Sequence, residues 1–320
     1  MFRSYKLTTF SLNTFSCRHF KFWGKKSQNN KSNSTNSLSQ DKSKTSLSYY
    51  SLDPKYLSKD KEIPILMYHH MFTSKDMYQT IVKTLAEKTG RTIYLLDMRN
   101  HGESVHSGVD HSDINFIAKD VRDFMDEFKI DRAVLAGHGV GGLAMLRMSL
   151  LFGNRVDKVI AFDMTPVDQI LFGSRVVDRM YYIVSALPNN INVSYARLIV
   201  KENLSRYFRD KTLLMHILMN LKKQPNGYVK WTFNLPVIRQ LLIKGIDRLN
   251  IYDNKYSGNV WIVNGKHSSM TANNYSKLKE SFPNSTFKFE KHFHQLSLHP
   301  SKSQQFVNTM ISFINKQSNK

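Results

Sequence analysis

At 320 residues with 41% hydrophobic side chains, the chain can hold one large α/β domain plus an extension, and its single cysteine, Cys17, excludes an internal disulfide framework. No stretch approaches the roughly 18 consecutive apolar residues of a membrane-spanning helix, which sets transmembrane classes aside. The formal charge of +21 is diffuse, with no long basic run, so it argues against nucleic acid as a partner and for solubility, an anionic substrate or peripheral contact with a membrane surface.

Basic residues crowd the start of the chain: Arg3, Lys6, Arg18, Lys21, Lys25, Lys26 and Lys31 fall within residues 1–40, which hold no Asp or Glu. The same segment is rich in Ser, Thr and Asn and dotted with Phe2, Phe10, Phe15, Phe20 and Trp23. This is the composition of a mitochondrial transit peptide, with a plain disordered tail as the blander alternative. Residues 41–61 read as a polar linker, and residues 62–320 as the folded domain.

Ile63-Pro-Ile-Leu-Met-Tyr68 is a continuous apolar run of the kind carried by a strand covered on both faces. His69 to Lys75 is a loop; Asp76 is placed as the N-cap of a helix running to about Lys88 and stopped by Gly90. Thr92 to Asp97 is the next strand, and Met98-Arg-Asn-His-Gly-Glu-Ser104 a polar turn. Ser112 or Asp113 caps a helix in which Ile114, Ile117, Val121, Phe124, Met125 and Phe128 share a face. Arg132 to Ala136 is a strand that runs into Gly137-His-Gly139-Val-Gly141-Gly142, with a helical pattern over Leu143 to Leu151. Lys158 to Asp163 is a strand ending in an acid.

The alternation breaks at about residues 165–256. These read as several helices, with Leu214, Leu218 and Leu221 on one face and loops at Pro188 and Pro225-Asn-Gly227: a helical lid over the sheet. The strand pattern resumes at Asn259 to Gly265, followed by a helix over Thr271 to Phe282, an alternating edge strand over Thr286 to Glu290 and a closing amphipathic helix over Lys302 to Lys316. The pattern predicts an α/β fold with a mostly parallel, doubly wound sheet. Sites in such sheets gather at the C-terminal ends of strands, where His69, Asp97, Gly139 and Asp163 fall.

Strand, glycine-rich turn and helix in that order are the layout of a nucleophile elbow, in which a serine stands at the tip of a strained turn. Here the tip is Gly139, which has no side chain. Together with Gly90-Arg91-Thr92, Asp97-Met-Arg-Asn-His-Gly-Glu-Ser104, Ala161-Phe-Asp-Met-Thr-Pro166, Asn220-Leu221, Trp231 and Asn234-Leu235, the elbow resembles the α/β-hydrolases. Within them it looks like the mitochondrial group of abhydrolase domain-containing 11 proteins and yeast ethanol acetyltransferases. The resemblance implies an α/β-hydrolase fold with a helical lid.

It also implies a triad in which serine attacks an ester or thioester carbonyl, histidine takes its proton and an acid holds the imidazole. Residue by residue, the serine's place is Gly139, the acid's is Asp163 and the histidine's is His294, with His292 as the fallback. The oxyanion loop of the group, His-Gly-x-x-Gly-Ser, reads His69-His70-Met-Phe-Thr73-Ser74 here, so both glycines are replaced. Val140 keeps a backbone N–H for the oxyanion, while the second donor, near Met71, is expected to be displaced by the side chain of His70. Gln295 follows His294 where the group has Trp or Phe.

Loss of the nucleophile costs on the order of 10⁶ in turnover. The expectation is a protein of the ester hydrolase and alcohol acetyltransferase class whose serine-triad activity is lost or much reduced. Its ligand would be a small ester or an acyl thioester such as acetyl-CoA, and a protein partner is expected if it works as a pseudoenzyme. The competing reading is an active short-chain esterase or acetyltransferase using Ser74, Ser104 or Ser268 as a displaced nucleophile, or water activated by Asp163 and His294. No cofactor is implied, and the scattered His101, His106, His111, His292 and His294 give no metal-ligand spacing.

Overall fold

The computed structural model describes residues 47–54, 63–108, 113–164, 170–208, 211–244, 254–265, 272–290 and 300–316. Strands β1 (Tyr49–Leu52), β2 (Ile65–Tyr68), β3 (Ile93–Leu96), β4 (Ala133–His138), β5 (Val156–Phe162), β8 (Asn259–Gly265) and β9 (Ser285–Glu290) form one sheet, in the order β1-β3-β2-β4-β5-β8-β9. All neighbours are parallel except β1, which pairs antiparallel with β3.

The period of two along each strand explains how this sheet is covered. In β4, Ala133 and Leu135 face the layer of α2 (Ile114–Glu127) and α3 (Val140–Leu151), while Val134 and Ala136 face the layer of α1 (Gln79–Thr89) and α9 (Pro300–Asn315). Strand β5 divides likewise, with Val159 and Ala161 on one side and Ile160 and Phe162 on the other. Both faces being apolar, the central strands read as continuous hydrophobic runs. Helix α8 (Ala272–Ser281) lies between β8 and β9 in the chain, as a parallel crossover requires.

Three local features differ from the sequence reading. Tyr49–Leu52 falls inside the expected linker yet forms the sheet's edge strand; Tyr49 packs edge-on against Phe124 and Phe128, and that aromatic burial outweighs the polar surroundings of the segment. Asp76 does not cap α1. It lies within a 3₁₀ turn over Lys75–Tyr78 that precedes the helix, and its carboxylate accepts from the Tyr50 hydroxyl at 2.9 Å. Between α6 (Lys211–Met219) and α7 (Leu235–Lys244) the lid span contains a hairpin, β6 (Leu221–Lys223) paired with β7 (Val229–Trp231), with its turn at Pro225-Asn-Gly227. Other expectations match: Asp113 caps α2 through bonds from the N–H groups of Asn115 and Phe116, and Gly90 ends α1 in the left-handed region.

Helices α4 (Ile170–Ser185), α5 (Val193–Leu204), α6 and α7 and the hairpin share a third apolar core, which includes Met180, Val200, Ile217, Leu221 and Ile238. Met71 and Phe72, from the loop after β2, also pack into it. Asn220 and Asn234 fasten this unit to the sheet. The Asn220 amide reaches Phe72 O at 3.5 Å, and the Asn234 N–H donates to Asn100 O at 2.9 Å.

Buried charges are paired or bonded. Arg99 donates to Asp120 at 2.6 Å, and Lys75 to Asp97 at 2.6 Å. Lys158, on the central strand β5, donates to Ile314 O at 2.6 Å and to Lys316 O at the end of α9. Among the described residues no helix is long and apolar enough to cross a membrane.

Candidate active site

Strand β4 ends at His138, Gly139 turns the chain with φ 56 and ψ −120, and α3 starts at Val140. Few residues with a Cβ adopt that conformation; glycine does so at little cost. The turn is anchored by the Gly139 N–H donating to Phe162 O at 2.9 Å and by Gly139 O accepting from the Leu143 N–H at 3.1 Å. Its tightness depends on Gly137 and Gly141. A Cβ on Gly137 would lie 2.3 Å from Gly141 O, and one on Gly141 would lie 2.5 Å from His69 O. At its tip the turn presents the N-terminus of α3, where the Val140 N–H and its neighbours form the partly positive end of the helix.

His70 occupies the space above that tip. A Cβ on Gly139 would stand 2.6 Å from His70 Cδ2 and 3.2 Å from His70 Nε2. The imidazole is held by its Nδ1–H, which donates to Met71 O at 2.6 Å, so in the neutral ring the lone pair is on Nε2. Burial and the neighbouring His138 lower the His70 pKa to about 4, against an opposing pull from Asp163, and the ring is neutral at pH 7.

The loop that carries His70 is closed on itself. The His70 carbonyl accepts from His69 Nδ1–H at 2.8 Å, from the Thr73 N–H at 3.1 Å and from the Thr73 hydroxyl at 2.6 Å. His69 in turn accepts the Met98 N–H on Nε2 at 3.0 Å, which ties the end of β2 to the end of β3. Burial lowers its pKa to about 3, against the opposing bond to the His70 carbonyl. The Met71 side chain packs in the lid core, a cluster that Val140 also touches.

Asp163 follows β5 directly, at φ 47, with its N–H on Val263 O at 2.8 Å. Its carboxylate lies 3.5 Å from His138 Nε2. The next residue is fixed as well: the Met164 N–H donates to Asn264 Oδ1 at 3.0 Å, and the Asn264 amide donates to the Tyr275 hydroxyl at 2.9 Å. Gly139, Val140, His70 and Asp163 thus meet at the C-terminal ends of β2, β4 and β5. His292, His294 and Ser268 lie outside the described residues.

The other serines weighed as nucleophiles are placed differently. Ser104 bridges two strand ends, donating to Asp97 O at 2.7 Å and accepting the Ser48 N–H at 2.8 Å. Ser74 is buried at the start of the 3₁₀ turn. The Arg99-Asn100-His101-Gly102 turn is structural: His101 bonds Arg99 O at 3.0 Å, and burial lowers its pKa to about 3.

Sequence reasoning passed over His138 and Asn264. His138 is buried at 3% exposure, lies 4.7 Å ring to ring from His70 and stacks on Phe162, yet in the glycine motif it stood as a spacer. The available signal was a polar residue closing an otherwise apolar strand. Among the described residues no three His, Cys, Asp or Glu side chains converge as a metal-binding group.

Known proteins resemble this chain in sequence and in fold. An sn-1-specific diacylglycerol lipase ABHD11 of Danio rerio is 26% identical over 264 residues, covering 80% of this chain and 80% of the relative. A probable alcohol acetyltransferase of Wickerhamomyces anomalus is 25% identical over 285 residues, covering 82% of each. Among solved structures, a marine microorganism esterase superposes with a TM-score of 0.67 at 19% identity, covering 84% of this chain and 99% of that one, a likeness of fold. The family profile described as alpha/beta hydrolase fold matches residues 63–298, well over half the sequence, and the chain belongs to that family.

Proposed function

We propose that this chain is a member of the ester hydrolase and alcohol acetyltransferase class in which serine-triad turnover is lost or much reduced, and that the site binds a small ester or acyl thioester without the covalent step. The observation that carries the reading is the pairing of Gly139 with His70: the elbow tip has no hydroxyl, and an imidazole fills the space that one would need. Covalent catalysis requires a nucleophile within hydrogen-bond reach of a base. Asp163 stands at a strand end where it could orient a histidine from the segment around His294. Without the serine, that pair would have only water to activate.

The relatives suggest the ligand class, since one acts on diacylglycerol by its name and another transfers an acetyl group to an alcohol. The basic, acid-free N-terminal segment places the protein in mitochondria in this reading, which a fluorescent fusion with and without residues 1–40 would test.

The deciding experiment is turnover of 4-nitrophenyl acetate, and of acetyl-CoA with ethanol, by the purified protein. A serine-directed fluorophosphonate probe is applied in parallel. The expected result is background turnover and no labelling, with saturable acyl-thioester binding by calorimetry. Strong labelling that vanishes on His294→Ala replacement would overturn the reading.

A further inference from the structure

The side chain over the elbow tip presents a hydrogen-bond acceptor, where a serine would have presented a proton. The His70 Nδ1–H donates to Met71 O at 2.6 Å, and a carbonyl oxygen can only accept. That one bond fixes both the tautomer and the direction of the ring, since turning the ring over would set a C–H against the Met71 carbonyl. The proton of the neutral ring is therefore on Nδ1. The lone pair is on Nε2, on the ring edge that faces Gly139, 3.2 Å from the position of a Cβ there.

This lone pair is not sealed in. His70, Val140 and Asp163 each keep partial exposure, whereas Gly139 and His138 are buried. Both nitrogens of His138 are buried polar atoms without a hydrogen-bond partner. Nε2 of His70 is not among such atoms, and no group among the described residues donates to it. The Val140 N–H, the first of α3, has no acceptor within its own helix. The tip thus offers a donor at Val140 and an acceptor at His70, with the Asp163 carboxylate at the same strand ends.

An ester or thioester carbonyl can use only the donor. A carboxylate ligand would set its lone pairs against that of His70 and its charge against that of Asp163. The group that satisfies a neutral imidazole nitrogen without adding charge is a hydroxyl. We propose that His70 determines specificity, its Nε2 accepting a hydrogen bond from a free hydroxyl on the ligand, so that the site selects hydroxyl-bearing esters over esters and thioesters without one. The ligand brings the O–H group that Gly139 lacks, and its carbonyl takes the Val140 N–H. This selection presupposes that the site binds esters without cleaving them.

The test is calorimetric binding of matched esters to the full chain. 2-Hydroxyethyl butyrate and propyl butyrate are isosteric and differ by O–H against methyl. The hydroxyl ester is expected to bind about tenfold tighter, the worth of one hydrogen bond, although the propyl ester is the more apolar. 2-Methoxyethyl butyrate, which keeps the oxygen and loses the proton, should bind as weakly as the propyl ester. His70→Phe keeps a ring without the acceptor and should abolish the preference by weakening the hydroxyl ester alone. His70→Gln, whose side-chain oxygen can stand in the place of Nε2, should restore part of it. Circular dichroism and melting of each variant establish that it is folded. Equal affinity of the wild type for the hydroxyl and propyl esters overturns the proposal and leaves ester binding standing. A preference that folded His70→Phe retains also overturns it, assigning the hydroxyl to another acceptor, as does an equal loss for all three esters, which would make His70 structural. If none of the three esters binds, ester binding itself falls and the selection with it.

Discussion

The elbow and the loop after β2 face each other across the same few ångströms, and they are built on different terms. The elbow is held by backbone. Gly137, Gly139 and Gly141 allow β4, α3 and the end of β2 to approach within distances that any Cβ would violate. The loop is held by side chains, with His69, His70 and Thr73 bonding to carbonyls within His69–Thr73. Because packing alone dictates a backbone turn of this kind, its shape does not report whether a nucleophile stands on it. The loop, whose side chain now fills the tip, is where chemistry and steric fit can be told apart.

The largest test of that contrast is repair of both halves together. Gly139→Ser with His70→Gly supplies the hydroxyl and vacates its space. If the rest of the site is intact, esterase turnover should rise by at least ~10² over the wild type, out of the roughly 10⁶ that a triad nucleophile is worth. Gly139→Ser alone should gain almost nothing, since its side chain would meet His70 at 2.6 Å. Equal gains from the single and double variants would break the comparison, because the loop would then be no obstacle.

Stability separates the two regions next. Gly141→Ala pushes a methyl against His69 O, and neither backbone can yield, so a loss of about 3 kcal/mol or more is expected by urea denaturation. Gly139→Ala meets a side chain and a left-handed φ, and should cost about 1–3 kcal/mol. Part of that cost should disappear in a His70→Gly background, and a double-mutant cycle measures the shared portion. Strict additivity would show that His70 does not press on the tip.

The smallest effect is in pH. Burial lowers His70 to about 4 and His69 to about 3. Both titrate near 6.5 in an unfolded chain, so between about pH 6.5 and 4 the unfolded state binds more protons. Stability is therefore full above that window and falls as pH drops through it. Replacing His70 by Gly should reduce the proton uptake on unfolding at pH 5 by about one. An unchanged slope would mean that His70 is already protonated over the elbow, with a different bond at Nδ1.

Much of this was legible in the residues, for identifiable reasons. Apolar runs such as Ile65–Tyr68 and Ala133–Ala136 mark strands buried on both faces, and no other arrangement covers them. Gly139 stood at the turn because an apolar run must end before a glycine cluster opens a helix. The edge strand Tyr49–Leu52 was hidden because its partner lies more than forty positions away and its own segment is polar. The hairpin β6–β7 was hidden, with Leu221 placed on a helical face and only the turn at Pro225-Asn-Gly227 legible, because three-residue strands carry too little alternation to register. The sequence marks His70 as a replaced glycine whose side chain disturbs the oxyanion donor near Met71, not as a cover on the elbow. That its ring covers the tip depends on a rotamer set by Met71 O, which no spacing rule contains.

Lys158 ties the middle of the sheet to the end of α9. Its ammonium sits at 2% exposure within the sheet and finds acceptors at Ile314 and Lys316, 156 and 158 positions downstream. Until α9 docks, that side of β5 is uncovered and the ammonium can be solvated; docking buries it and hands it to the two carbonyls. The stability of the middle of the sheet is therefore linked to the end of α9, far away in the chain.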